Sequence, residues 1–219
     1  EECLKAKIEF STSPYDYDAV DEVIEYVNFL KIGSGDISWI DFLSYLKSKN
    51  KPLILASGAS LIEDVERAVE VLDSNQLVLM QCNTNYTVDS DKHHYVNLNV
   101  LELYKEKFPS VVLGLSDHTL GHGSVLGSIA LGARVIEKHF TLDRNGGGPD
   151  DSFSLEPEDL TALCRDSKTA WKALGEVDYG RKSSEQGNAQ FRRSLYFVKD
   201  LKAGDVVDVA AIRSVRPGY

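Results

Sequence analysis

Short apolar, β-branched runs recur along the chain. Each is followed by glycine and small polar residues, then by a stretch whose apolar positions return every three to four residues. The runs predict strands at 8–11, 29–33, 53–56, 77–82, 111–115 and 134–139, with helices between them at 18–26, 61–72, 98–107 and 124–131 among others. Residues 1–7 have no apolar core and read as the polar end of a helix. If Ser11, Ser34, Ser57, Asn83, Ser116 and His139 end the six strands, the ends recur every 23 to 33 residues, which suits compact βα units. Alternation alone fits a doubly wound open sheet equally well. The distribution of polar residues favours a barrel, because every one of the six strands ends in polar or glycine-rich text, whereas an open sheet gathers its site at one switch point. The expected fold is therefore an α/β (β/α)8 TIM barrel. Since six units are visible, two βα units are expected to be absent from the N-terminal side.

After the sixth strand the pattern predicts a helix at 157–174 and a polar, charged linker at 175–190. A strand at 193–198, a turn at Lys202-Ala203-Gly204-Asp205 and a strand at 206–209 then follow. The expected domains are 1–174 for the barrel, 175–190 for the linker and 191–219 for the start of a small β-rich domain.

Charge narrows the partners. With 24 Lys and Arg against 34 Asp and Glu the net charge is −10, and no basic cluster is long enough to neutralise a nucleic-acid backbone. No apolar run approaches the roughly 20 residues of a spanning helix, so no membrane partner is expected. Cys3, Cys82 and Cys164 are odd in number and far apart, which argues against a disulfide framework or structural zinc and for a reducing, cytoplasmic setting.

Strand parity identifies the candidate chemistry, because side chains two apart share a face. Gly114, Ser116 and His118 fall on one face of the fifth predicted strand, and Val135, Glu137 and His139 on one face of the sixth. Two imidazoles at the ends of adjacent strands, with a carboxylate one step below, suit a divalent ion. On the same reading His118 could instead cap a helix or bond a neighbouring strand. Lys31 shares a face with Phe29 and Gly33 and leads into Ser34-Gly35, a setting for a phosphate or carboxylate. Its alternative is a buried ion pair, for example with Glu137. The glycines at 146–148 read as a flexible loop where a lid would sit, and His93-His94 as solvated surface.

The strings Phe10-Ser11-Thr12, Lys31-Ile32-Gly33-Ser34-Gly35-Asp36, Leu53-Ile54-Leu55-Ala56-Ser57-Gly58, Gly114-Leu115-Ser116-Asp117-His118-Thr119-Leu120-Gly121, Glu137-Lys138-His139-Phe140-Thr141 and Gly148-Pro149-Asp150 closely resemble the sialic acid synthase family. That family condenses phosphoenolpyruvate with an N-acetylated hexose to a nine-carbon 2-keto sugar acid. The resemblance runs in order from about Lys5 to Gly218. Arg192-Arg193-Ser194-Leu195-Tyr196 and Arg216-Pro217-Gly218 resemble the start of the family's C-terminal antifreeze-like (SAF) domain.

The resemblance implies that His118 and His139 ligate a divalent ion, usually Mn²⁺, with Mg²⁺ or Co²⁺ as alternatives. It implies that Lys31, Ser34 and Ser116 hold phosphoenolpyruvate, that Tyr86 and Asp150 line the substrate pocket, and that Glu137 transfers a proton. Arg216 is implied to reach the N-acetyl group of a sugar bound by a partner subunit, in a homodimer with exchanged C-terminal domains. Asp151, where many relatives carry His, and Thr84, where some carry Asn or Ser, are implied to face the sugar. Asn83-Thr84-Asn85-Tyr86-Thr87 leans toward a legionaminic product, and Leu142-Asp143-Arg144 with Phe153-Ser154-Leu155 toward a pseudaminic one, so N-acetylneuraminic, legionaminic and pseudaminic acids all stay open. The family's first two strands have no counterpart here, which implies an incomplete site in this chain alone. Two other readings stand beside this one: a phosphoenolpyruvate-dependent synthase of shorter 2-keto sugar acids that uses a phosphorylated aldose, and a non-catalytic fragment.

Overall fold

The computed structural model describes all residues except 88, 89 and 217–219. Pro217 and Gly218 of the Arg-Pro-Gly string thus lie outside the described residues. The chain divides into two units, Glu1–Gly175 and Glu176–Tyr219.

The first unit runs α1 (Glu2–Ala6), α2 (Tyr17–Val23), β1 (Leu30–Ile32), α3 (Ile40–Ser48), β2 (Leu53–Ala56), α4 (Ile62–Leu72), β3 (Leu77–Cys82), α5 (Val100–Lys107), β4 (Val112–Asp117), α6 (Gly123–Ala130), β5 (Val135–Lys138) and α7 (Pro157–Leu174). Neighbouring strands are parallel, and their order in the sheet is their order in the chain. A doubly wound sheet reverses that order midway, and this one never does. Because crossovers of this kind are right-handed, an unreversed order lays the connecting helices on one face. The sheet is accordingly a half-barrel.

Register explains which residues are free to do chemistry. Lys31 pairs with Ile54, Cys82 with Ser116, and Ser116 with Glu137, so these side chains belong to one face. The opposite face carries Leu30, Leu55, Leu79 and Leu115, each fully buried, and packs against Phe42, Leu43, Leu46, Val65, Ala68, Val125 and Ile129 of the helices. The concave face is more open, with Val112 40% exposed. Gly114 is required there: a Cβ would lie 2.7 Å from the Val135 carbonyl oxygen and 2.9 Å from Met80 Cγ. The second unit contains an antiparallel pair, β6 (Ser194–Phe197) with β7 (Ile212–Val215). Among the described residues no helix is long and apolar enough to cross a membrane.

Three predicted elements differ. Residues 8–11 are not a strand: Ile8 and Phe10 are exposed, and the segment's link to β1 is the Lys31 amide to the Thr12 carbonyl and the Ser11 hydroxyl to the Phe29 carbonyl, with no ladder. Residues 206–209 form no strand either. Val206 and Val209 are exposed without partners in a sheet, and the later Ile212–Val215 supplies the pairing. The stretch predicted as linker contains a 3-10 helix, Ser183–Phe191.

Candidate functional site

The two histidines follow directly on β4 and β5, at the carboxyl ends of adjacent strands. Their rings lie 5.0 Å apart between centroids. His118 Nδ1 is 2.8 Å from the Asn83 carbonyl oxygen. A carbonyl only accepts, so Nδ1 carries the proton and Nε2 keeps a free lone pair. His139 Nδ1 lies 3.4 Å from Asp150 Oδ2, which orients the second ring in the same sense. Burial holds both imidazoles below their ordinary pKa, outweighing the opposing pull of Asn83 on His118 and of Asp150 on His139, so both are neutral near pH 7. The Tyr86 ring packs on His118 at 4.4 Å, and Phe153 meets His139 at 5.1 Å.

One step deeper, two donors converge on a single carboxylate oxygen. Lys31 Nζ donates to Glu137 Oε1 at 2.9 Å and Ser116 Oγ donates to the same oxygen at 2.7 Å. The ion pair that the sequence offered as an alternative for Lys31 is therefore present, and it lies inside the site. Ser34 Oγ accepts the Gly58 amide at 2.9 Å, which leaves its hydroxyl proton to donate. Cys82 lies beside Ser34 and Ser116, and burial pushes its thiol up and keeps it protonated.

Lys31, Ser34, Ser116, Glu137, His118, His139, Tyr86 and Asp150 thus come from four strands of one unit, β1, β3, β4 and β5, and the loops that follow them. Arg216 stands exposed after β7 in the second unit. His93 and His94 are exposed, as expected. Asp151, expected to face the sugar, is occupied within its own loop: its carboxylate accepts the Thr141 hydroxyl at 2.7 Å and the Gly148 amide at 2.7 Å. Those bonds hold its pKa low.

Three supporting groups escaped the sequence reading. The Asn83 carbonyl has no signature, since any residue supplies one. Lys92, only 3% exposed, sits in a polar stretch that reads as surface. The buried Asp117–Lys138 pair, 2.9 Å apart, had a usable signal: both residues fall out of parity with Ser116 and Glu137, facing the helices.

The fit to a divalent ion is tested by these donors. Two neutral imidazoles, that of His118 anchored through Nδ1 with its Nε2 free and that of His139 beside Asp150, suit such an ion. Among the described residues no group of three or more His, Cys, Asp or Glu is placed to hold a metal ion, so the protein would offer such an ion the two imidazoles.

The NeuB family profile matches residues 1–179. The N,N'-diacetyllegionaminic acid synthase of Campylobacter jejuni is 36% identical over 220 residues, covering 97% of this chain and 65% of that protein. The enzyme of the same name from Legionella pneumophila is 32% identical, covering 96% of this chain and 61% of its own length. The chain thus spans slightly under two thirds of these relatives. A crystal structure of the N-acetylneuraminic acid synthetase of Leptospira borgpetersenii in complex with citrate superposes with a TM-score of 0.78 at 30% identity, covering 86% of this chain and 66% of that one.

Proposed function

The chain belongs to the NeuB family, and on that premise we propose that it carries the phosphoenolpyruvate and metal sites of a synthase that makes a nine-carbon 2-keto sugar acid from an N-acetylated hexose. The observation that carries this reading is the convergence of Lys31 and Ser116 on Glu137, next to two imidazoles, that of His118 anchored through Nδ1 to Asn83 and that of His139 with Nδ1 3.4 Å from Asp150.

Lys31, Ser34 and Ser116 bind the phosphate and carboxylate of phosphoenolpyruvate. His118 and His139 would hold a divalent ion, Mn²⁺ in this reading, which would supply Lewis-acid polarisation of the sugar aldehyde. Carbon 3 of the enol phosphate bonds to the aldehyde carbon, and positive charge develops at carbon 2. The aldehyde C=O π bond breaks to an alkoxide as the C–C bond forms. Water adds at carbon 2, with Glu137 taking one of its protons and passing it to that alkoxide. The C–O bond to phosphate then breaks as the carbon-2 hydroxyl gives its proton to the departing phosphate, leaving the 2-keto acid. The donors that hold the phosphate also balance the charge it carries away. Tyr86 and Asp150 close the sugar side. The Lys31–Glu137 pair fits this sequence, since an arriving phosphate competes for the Lys31 and Ser116 donors and frees the carboxylate for proton transfer.

The half-barrel is read as part of an eight-unit barrel, and the second unit as the start of an antifreeze-like domain. In a homodimer with exchanged domains, Arg216 contacts the N-acetyl group in the partner's site.

Two measurements on the full-length protein test the reading. Phosphate release from phosphoenolpyruvate should depend on an N-acetylated hexose, and not on a phosphorylated aldose. His118→Ala and His139→Ala should each remove the metal, read by mass spectrometry, and lower kcat by several orders of magnitude, on the order of 10³-fold, as loss of a transition-state interaction does. His93→Ala and His94→Ala should change neither. Wild-type turnover in a metal-free His118→Ala protein would overturn the mechanism.

A further inference from the structure

Two lysines that take no part in the proposed chemistry meet the backbone beside His118. Lys92 reaches from the 3-10 helix Ser90–Tyr95, is buried, and donates to the carbonyls of His118 and Thr87. Its ammonium also stands 5.4 Å from the centre of the Phe153 ring. Lys138 comes from β5 and donates to the Thr119 carbonyl and to Asp117 Oδ2, the latter at 2.9 Å. Its side chain is 5% exposed and that of Asp117 is 1% exposed. Asp117 in turn accepts the Thr119 amide and hydroxyl. Two consecutive carbonyls, of His118 and Thr119, are therefore each held by a buried ammonium from a different element.

Burying an ammonium is costly, and replacing a whole buried ion pair by apolar side chains of similar size is often neutral or better. Two such groups on adjacent peptides are thus weak evidence for stability, and what they supply is geometry. The two peptide planes, 118–119 and 119–120, flank Thr119, so holding both fixes the backbone torsions of Thr119 and anchors the peptide that follows His118. The Asn83 carbonyl can then hold the ring by Nδ1 in one orientation. Lys138 also precedes His139, so its crossing to Asp117 and Thr119 ties the end of β5 to the end of β4 and sets the separation of the two rings.

We propose that Lys92 and Lys138 are positioning residues that clamp the backbone at His118, locking its imidazole in the Nδ1–H form with Nε2 presented to the bound ion. The second half of that statement rests on the reading of His118 as a metal ligand; the first half does not. Lys92 also ties the peptide of His118 to the loop that carries Tyr86, so the metal side and the sugar side of the site share one anchor.

The test uses the full-length protein with Lys92→Met, and with Lys138→Met combined with Asp117→Asn so that no bare carboxylate stays buried. The ¹⁵N shifts of the His118 ring in metal-free protein report its tautomer, and optical titration with Co²⁺ reports affinity. Wild type should show one tautomer, Nδ1–H. Each folded variant should show a mixture of tautomers and bind Co²⁺ roughly 10- to 100-fold more weakly, the usual effect of removing an outer support of a metal ligand. Lys92→Arg, which keeps a buried donor, should retain the single tautomer. A single tautomer together with Co²⁺ affinity within about twofold of wild type in the folded variants would overturn the clamp. If wild type binds no Co²⁺, the ligand reading of His118 fails, and the tautomer still judges the clamp. Should Lys92→Met fail to fold, the double variant decides.

Discussion

Gly58 is the most crowded backbone position in the site. A Cβ there would lie 2.5 Å from Thr84 Cγ2, 2.9 Å from Ser34 Oγ and 3.0 Å from Cys82 Sγ. Its amide is also the donor that orients Ser34. Gly58→Ala should therefore cost about 1–3 kcal/mol by overpacking and push Ser34 out of place. On the proposed function, steady-state kinetics of the full-length protein should show the KM for phosphoenolpyruvate rising several-fold while the KM for the hexose holds. Equal KM values in the variant and the parent would remove Ser34 from the phosphate site. Most of the site at this scale is legible in the sequence, because strand alternation is a property of the backbone: it brings out Lys31, Ser116, Glu137, His118 and His139 before any coordinates exist. What alternation cannot reach is whatever approaches from outside the strand, such as the Asn83 carbonyl or the Lys92 ammonium. It also cannot assign neighbours in a loop. Asp150 turns to His139, and Asp151, one residue on, is consumed by Thr141 and Gly148.

The strands differ in how sharply their ends could be read. Residues 53–56 and 77–82 match β2 and β3 at both ends, whereas 111–115 stops short of the end of β4, Val112–Asp117, although that strand too has a neighbour on each side. Residues 8–11 have the composition of a strand and none of its pairing, which no local pattern reveals. Helix α3 falls where the alternation expects a helix between the strands at 29–33 and 53–56, though the sequence reading gave it no bounds, and Phe42, Leu43 and Leu46 of its inner face are buried. The two faces of the sheet yield a sharper contrast. Leu79 on β3 faces the helices and is fully buried, whereas its diagonal neighbour Val112 on β4 faces the open side at 40% exposure. Leu79→Ala should cost about 2–5 kcal/mol, and Val112→Ala about 1 kcal/mol or less. Denaturant melts of both variants check the assignment of faces. Equal losses would mean that the inward and outward sets have been exchanged.

At the scale of the molecule, β1 and β5 each have a neighbour on one side only. Edges of this kind pair with other chains unless something covers them. Here Ile8 is 61% exposed, Phe10 49%, Phe140 51% and Leu142 80%, so apolar surface lies beside the open edges. Opposing association is the net charge of −10, whose repulsion acts between like molecules and is screened by salt. The two effects separate by ionic strength. The 219-residue chain, examined by sedimentation velocity, should associate as its concentration rises, and more strongly in high salt than in low, because salt weakens the repulsion and leaves edge pairing and apolar burial intact. Phe10→Lys with Leu142→Lys should reduce that association, since charge beside an edge disfavours pairing. Association that weakens with salt would instead assign it to ion pairs, and a monodisperse monomer with a cooperative melt at both salts would show that the edges of the half-barrel are silent.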